Sequence, residues 1–212
     1  MLNFLTSKLE FPPVETASKE GLLAVGGDLS VARILLAYKS GIFPWYNEES
    51  MILWWSPDPR MVLFPHKLHV SKSMQQLLKK DEFTVTYNKA FKEVILNCAK
   101  IKREGQEDTW ITNEMVQAYL KLHELKYATS VEVWQGGKLV GGLYGIDLGH
   151  VFCGESMFAK VSNASKIGFI TLVNDLKEKN YKLIDCQVYT QHLSSLGAEE
   201  IPRSEFMKIL KR

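Results

Sequence analysis

Residues 130–158 read SVEVWQGGKLVGGLYGIDLGHVFCGESMF, and no other stretch of the chain restricts its fold so sharply. β-Branched and aromatic residues are separated by Gly136-Gly137 and by Asp147-Leu148-Gly149, which supply the turn chemistry between neighbouring antiparallel strands. The segment predicts a hairpin series in one sheet. Helical spacing on either side predicts what covers that sheet: one helix near Ser71 to Lys79, others near Lys89 to Lys102 and Asn113 to Leu125, and one opened by Ser162 or Asn163 that runs to about Lys179. Strand-type runs fall at Phe83 to Tyr87 and in KLIDCQV, and SEFMKIL reads as a small helix. Strands in series, then a helix, then another strand give an α+β (mixed α/β) fold class.

The first third is different, being rich in Gly, Pro and Trp. Gly26-Gly27-Asp28 signals a turn, and Asp28 or Ser30 can cap a short helix from Val31 to Lys39 whose apolar positions Ile34, Leu35 and Tyr38 share a face. Gly41 suits the left-handed position after that helix, and Pro44 prevents its continuation. Prolines 44, 57, 59 and 65 then break the chain into loops around short strands. The expectation is a small N-terminal domain over residues 1–65 and a second, larger domain over 66–212.

Composition excludes several classes. Three cysteines without C-x-x-C spacing give neither a disulfide framework nor a thiolate zinc site, and a reducing cytosol suits them. The first residues, MLNFLTSKLEFPP, lack an apolar signal core, and no run is long enough to span a bilayer, so a soluble cytoplasmic protein with no membrane partner is expected. There is no H-E-x-x-H pair, no phosphate-binding G-x-x-x-x-G-K-[ST] loop and no G-x-G-x-x-G; neither metal nor nucleotide cofactor is expected. Gly154-Glu155-Ser156-Met157-Phe158 begins like a nucleophile elbow, but Phe158 stands where the second glycine belongs.

Three features could carry chemistry. A net charge of +2 announces no nucleic-acid binder, yet between His66 and Arg103 nine Lys or Arg residues, Lys79, Lys80, Lys100 and Lys102 among them, face three acids. Such a run is either a solvated surface or a phosphate track. Trp45, Tyr46, Trp54, Trp55 and Trp110 lie in loop contexts where a ring can stack on an unpaired base or simply fill the core, and in an extended Trp54-Trp55 at least one ring must face inward. Glu155, Asp185 and Gln187 are polar residues embedded in apolar strand segments, and their two-residue spacing puts Asp185 and Gln187 on one side of a strand. A carboxylate there is paired, hydrated or functional.

Taken together, GLLAVGGDLSVARILLAYKSGIFPWY, LWWSPDPRMVLFP, TWIT, GGLYG, VFCGESMF, NASKIG, LIDCQV and SLGAEEIPR resemble, in order and over nearly the whole chain, the bacterial leucyl/phenylalanyl-tRNA-protein transferases. The resemblance implies a C-terminal domain of the acyl-CoA N-acyltransferase fold and transfer of Leu, Phe and less readily Met from aminoacyl-tRNA to proteins beginning with Arg or Lys, marking them for degradation. It also implies roles. Asp185 would be the base with Gln187 as relay, or would only position the cationic acceptor while the tRNA ribose assists. Glu155 would fix the donor's α-amino group or terminal ribose. Trp45 and Trp110 would hold the 3' adenosine, and Phe152, Gly154, Met157, Phe169, Leu172 and Ile184 would line the donor site. Leu172 stands where relatives can carry an aromatic residue, which bears on the choice between Phe and Leu. Two other readings remain: an acetyl-CoA-dependent N-acetyltransferase, disfavoured because NASKIG lacks the [QR]-x-x-G-x-[GA] pyrophosphate loop, and a non-catalytic RNA-binding module, which leaves Glu155, Asp185 and Gln187 unexplained.

Overall fold

A computed structural model describes residues 2–80, 82–101 and 110–211. Strands β1 (Asn3–Leu5), β2 (Leu22–Gly26), β3 (Phe43–Pro44) and β4 (Leu53–Trp55) form a small sheet in the order β1-β2-β4-β3, with helix α1 (Val31–Lys39) beside it. Ser30 caps α1 by accepting from the Arg33 N–H, and Gly41 follows it with φ +73°. Trp54 is the inward ring of its pair, fully buried, with its indole N–H donating to the Gly26 carbonyl.

The remaining strands make a seven-stranded sheet: β5 (Arg60–Leu63), β6 (Thr84–Tyr87), β7 (Ala128–Gln135), β8 (Lys138–Asp147), β9 (Val151–Ala159), β10 (Leu183–Gln187) and β11 (Glu199–Ile201), in the order β11-β5-β10-β9-β8-β7-β6. The hairpin series is β7 to β9, as the glycine-marked turns require. All neighbours are antiparallel except β9 and β10, which run parallel. The change of sheet falls between Trp55 and Arg60, ahead of the break expected after residue 65, because RMVL alternates its side chains between the two cores and pairs with β10.

Helices α2 (Lys72–Leu78), α3 (Phe91–Lys100), α4 (Asn113–Glu124), α5 (Ala164–Glu178), α6 (Gln191–Ser195) and α7 (Arg203–Leu210) cover the sheet. One core lies between the sheet and α1, α3, α4 and α7, and holds the small sheet as well. The other lies under α5. That helix sits close to the strands because a side chain at Gly141 would meet the Ala164 Cβ at 2.6 Å and one at Gly168 would meet Val133 at 2.9 Å. The result is a mixed α/β molecule in layers, in agreement with the expected class. Among the described residues no helix is long and apolar enough to cross a membrane.

Candidate active site

β9 and β10 pair only from Val151 to Cys153 and from Leu183 to Asp185. Beyond that point both strands bulge. On β9, Gly154 opposes Gly145 and Ser156 opposes Tyr144, which leaves Glu155 as an extra residue with no partner on β8. On β10, Asp185 opposes Val62 and Gln187 opposes Met61, so Cys186 is the extra residue, and Gln187 is turned into the left-handed region at φ +66°. The extra residue falls between Asp185 and Gln187, so the two are not at successive regular positions of one strand. Cys186, like Ile184, joins the core under α5, while Asp185 points to the opposite layer.

The gap between the two strands is a cavity of about 360 Å³. Leu143, Phe152, Phe169, Leu172 and Ile184, all from the core under α5, form its apolar end, with Met157 beside them. Phe43, Pro44, Trp45 and Trp110 line it from the other layer, with Trp45 36% exposed. Glu155 stands between these parts. Its Oε2 accepts from the Tyr119 hydroxyl at 2.9 Å and its Oε1 from the Gln187 amide at 2.8 Å.

Burial pushes the Glu155 carboxyl up to about 7; the hydrogen bonds from Gln187 and the tyrosines pull it down, and Asp185 adds to the rise. The unfolded carboxyl titrates near 4.5, so folding takes up a proton between these values. Stability therefore falls as pH rises through that window and levels off above about 7, a loss of about 3 kcal/mol at 1.36 kcal/mol per unit. Urea unfolding at both ends of the window should record this decline, and Glu155→Gln should flatten the curve and be the more stable form at alkaline pH. An identical slope in the two proteins would place the titrating group elsewhere.

Asp185 does not line the cavity. It is 1% exposed and bound in two places by Arg60, through Nε to Oδ1 at 2.8 Å and Nη2 to Oδ2 at 2.7 Å. Arg60, also 1% exposed, donates to the Gly41 carbonyl and lies between the rings of Phe43 and Phe206, 4.9 and 4.7 Å from their centroids. Asp185 Oδ1 further accepts from the Gln187 backbone N–H at 3.0 Å. Both carboxylate oxygens of the residue expected as the base are thus engaged by Arg60, outside the lining of the cavity. Asp185 also bonds the backbone of Gln187, whose side-chain amide donates to Glu155.

The expected donor-site residues Trp45, Trp110, Phe152, Gly154, Met157, Phe169, Leu172 and Ile184 all line the cavity, as do Glu155 and Gln187. The lysines are not gathered. Lys79 and Lys80 follow α2, whose Met74 packs under α5, while Lys100 ends α3 on the opposite layer; Lys102 lies outside the described residues. Sequence reasoning missed Arg60, Tyr38, Tyr119, Phe43 and His192. For Arg60 there was a signal, since a buried Asp185 demands a cation.

A gap between two splayed strands, with an apolar slot at one end and one hydrogen-bonded carboxyl at the junction, has the make-up of a binding site for a small apolar group beside a polar one. The family is defined by the whole chain. The family model of leucyl/phenylalanyl-tRNA protein transferase matches residues 62–211, and that of its N-terminal domain matches residues 27–58. Three proteins named leucyl/phenylalanyl-tRNA–protein transferase are similar throughout. Those of Flavobacterium johnsoniae and Flavobacterium psychrophilum are 66% and 60% identical, over 98% and 100% of both chains; that of Christiangramia forsetii is 59% identical over 98% of this chain and 99% of its own. The chain also aligns with a solved GCN5-related N-acetyltransferase from Kribbella flavida, at 13% identity over 80% of this chain and 60% of that one, with a TM-score of 0.37. This protein belongs to the leucyl/phenylalanyl-tRNA protein transferase family.

Proposed function

We propose that the protein moves a leucyl or phenylalanyl group, and less readily a methionyl group, from its tRNA ester to the α-amino group of proteins that begin with Arg or Lys, marking them for degradation in the cytoplasm. The observation that carries this reading is a cavity that joins an apolar slot to the Glu155 carboxyl. Aminolysis of an ester is downhill and needs position, a proton acceptor and charge stabilisation. The acceptor nitrogen attacks the ester carbonyl, the C–N bond forms, the bond to the ribose oxygen breaks, and that oxygen leaves with a proton. The proton lost by the attacking amine goes to Glu155, and an equal proton is returned from Glu155 to the departing ribose oxygen, so the carboxylate is regenerated. Its carboxyl titrates near 7, close to the 7.7 to 8.0 of a free α-amine, so base and nucleophile are both available at neutral pH.

Trp45 and Trp110 are suited to the terminal adenosine, and Lys79, Lys80 and Lys100 to phosphates farther along the tRNA, as neutral stacking surfaces and exposed cations are. Gln187 and Asp185 act through Glu155. Three free cysteines, all buried, are in keeping with a reducing compartment.

Donor choice tests the reading. Leu, Phe and Met reach the slot on a stem unbranched at Cβ, whereas Ile and Val crowd the ester. A missing methylene discriminates by only about 1 to 3 kcal/mol, so rejection of Ile must come from that crowding. Transfer from Leu-, Phe-, Met- and Ile-tRNA to an Arg-initiated peptide should be poorest with Ile. Met157→Ala and Leu172→Ala should both alter transfer of Phe. Efficient use of Ile-tRNA by the unaltered protein would sink the slot as the donor site.

A further inference from the structure

Glu155 is held from two sides, and one of them leads away from the cavity. Tyr119, on α4, donates to Oε2 of Glu155, and its oxygen is bonded to the hydroxyl of Tyr38, on α1. Tyr119 has only one proton to donate, so in this chain Tyr38 is the donor to Tyr119. Both side chains are buried, 1% and 0% exposed, and neither lines the cavity. A position that needed only packing would be served by Phe, because a buried hydroxyl must be desolvated and then partnered. Here two bonded hydroxyls from different helices of one core converge on one carboxyl, and their residues lie 81 positions apart in the chain.

We propose that Tyr119 and, behind it, Tyr38 are positioning residues for the transfer: they hold Glu155 toward the cavity and stabilise its carboxylate form, so that helix α1 takes part in proton acceptance without touching substrate. The inference rests on Glu155 being the proton acceptor. The groups facing Glu155 are few. Asp185 and Gln187 come from β10, Cys153 from its own strand, Tyr144 from β8 and the two tyrosines from the helices, while Arg60 on β5 is occupied by Asp185. Burial first, and then the charge of Glu155, pushes Tyr38 and Tyr119 well above the usual phenol range, so both remain neutral donors throughout neutral pH. Cys153 is likewise kept a thiol by its burial and by Asp185.

Donation to a carboxylate favours the ionised form, so loss of a hydroxyl leaves Glu155 protonated to higher pH. In Tyr119→Phe the acid limb of the pH–rate profile should move up by about one unit, with transfer reduced about tenfold at neutral pH and recovering in alkali. Tyr38→Phe should move the limb the same way, since its hydroxyl also interacts with the Glu155 carboxyl. Both limbs are to be read beside the infrared band of the Glu155 carboxyl in the free protein, identified as the band missing from Glu155→Gln. A shift of that band's titration midpoint in step with the rate supports the relay. Rates that fall equally at every pH, with limb and band midpoints unchanged in both variants, overturn it. A band that shifts while the wild-type rate has no acid limb supports the tyrosine contacts and refutes Glu155 as acceptor, so the two ideas fail separately.

Discussion

Glu155→Gln should slow transfer of leucine from Leu-tRNA to an Arg-initiated peptide by about 10²- to 10⁴-fold, the range supplied by a positioned acid or base, and should remove the acid limb of the pH–rate profile. The substitution keeps shape and volume, and its amide oxygen can still accept from Tyr119. It removes a charge that burial disfavours, so the fold should survive. The effect is on the proton alone. Single-turnover rates across neutral pH, with circular dichroism to check the fold, make the measurement. Rates within a few-fold of the unaltered protein would return the proton to the ribose of the tRNA and leave Glu155 a binding group.

Arg60→Ala should be the most destabilising substitution at the site. It strips both ionic hydrogen bonds from a carboxylate that is 1% exposed, leaves the Gly41 carbonyl without its guanidinium donor, and empties the space between Phe43 and Phe206. Breaking a buried pair from one side costs about 3 to 5 kcal/mol, since the remaining charge has no counterpart. For a chain of this length that lowers the melting temperature by roughly 10 °C. The double change Arg60→Met with Asp185→Leu should restore much of that stability, because the uncompensated charge is gone. It should not restore transfer, because the acceptor for the Gln187 N–H is gone as well. Calorimetry and transfer rates on the same samples separate the two effects; a double variant that is stable and fully active would show that the turned conformation of Gln187 does not matter.

Much of this architecture could be read in the residues themselves. Ser30, Gly41 and Pro44 bound α1 by local chemistry, and Gly136-Gly137 and Asp147-Leu148-Gly149 close the hairpins, because turns and caps depend on neighbours in the chain. The apolar lining of the cavity came from the family resemblance, not from periodicity. The junction at Glu155 was hidden for a specific reason. Alternation assumes a regular strand, and single extra residues at Glu155 and Cys186 interrupt it in a way that period-two spacing does not reveal. Arg60 and Asp185 are 125 residues apart and Tyr38 and Tyr119 are 81 apart. Pairings of that length arise from the packing of layers, and no spacing within a segment encodes them. The lysine run reads as one block in sequence, yet its members follow helices on opposite faces of the sheet.

The most direct test follows one leucine. The protein is incubated with tRNA charged with labelled leucine and with two peptides that begin with Arg, one with a free α-amine and one with that amine acetylated, and the products are sequenced. The account predicts a single labelled Leu ahead of Arg on the free peptide, no label on the blocked one, and no acetyl group on either when acetyl-CoA is supplied in place of the charged tRNA. Label that remains on bound tRNA, or an acetyl group on the free amine, would contradict it.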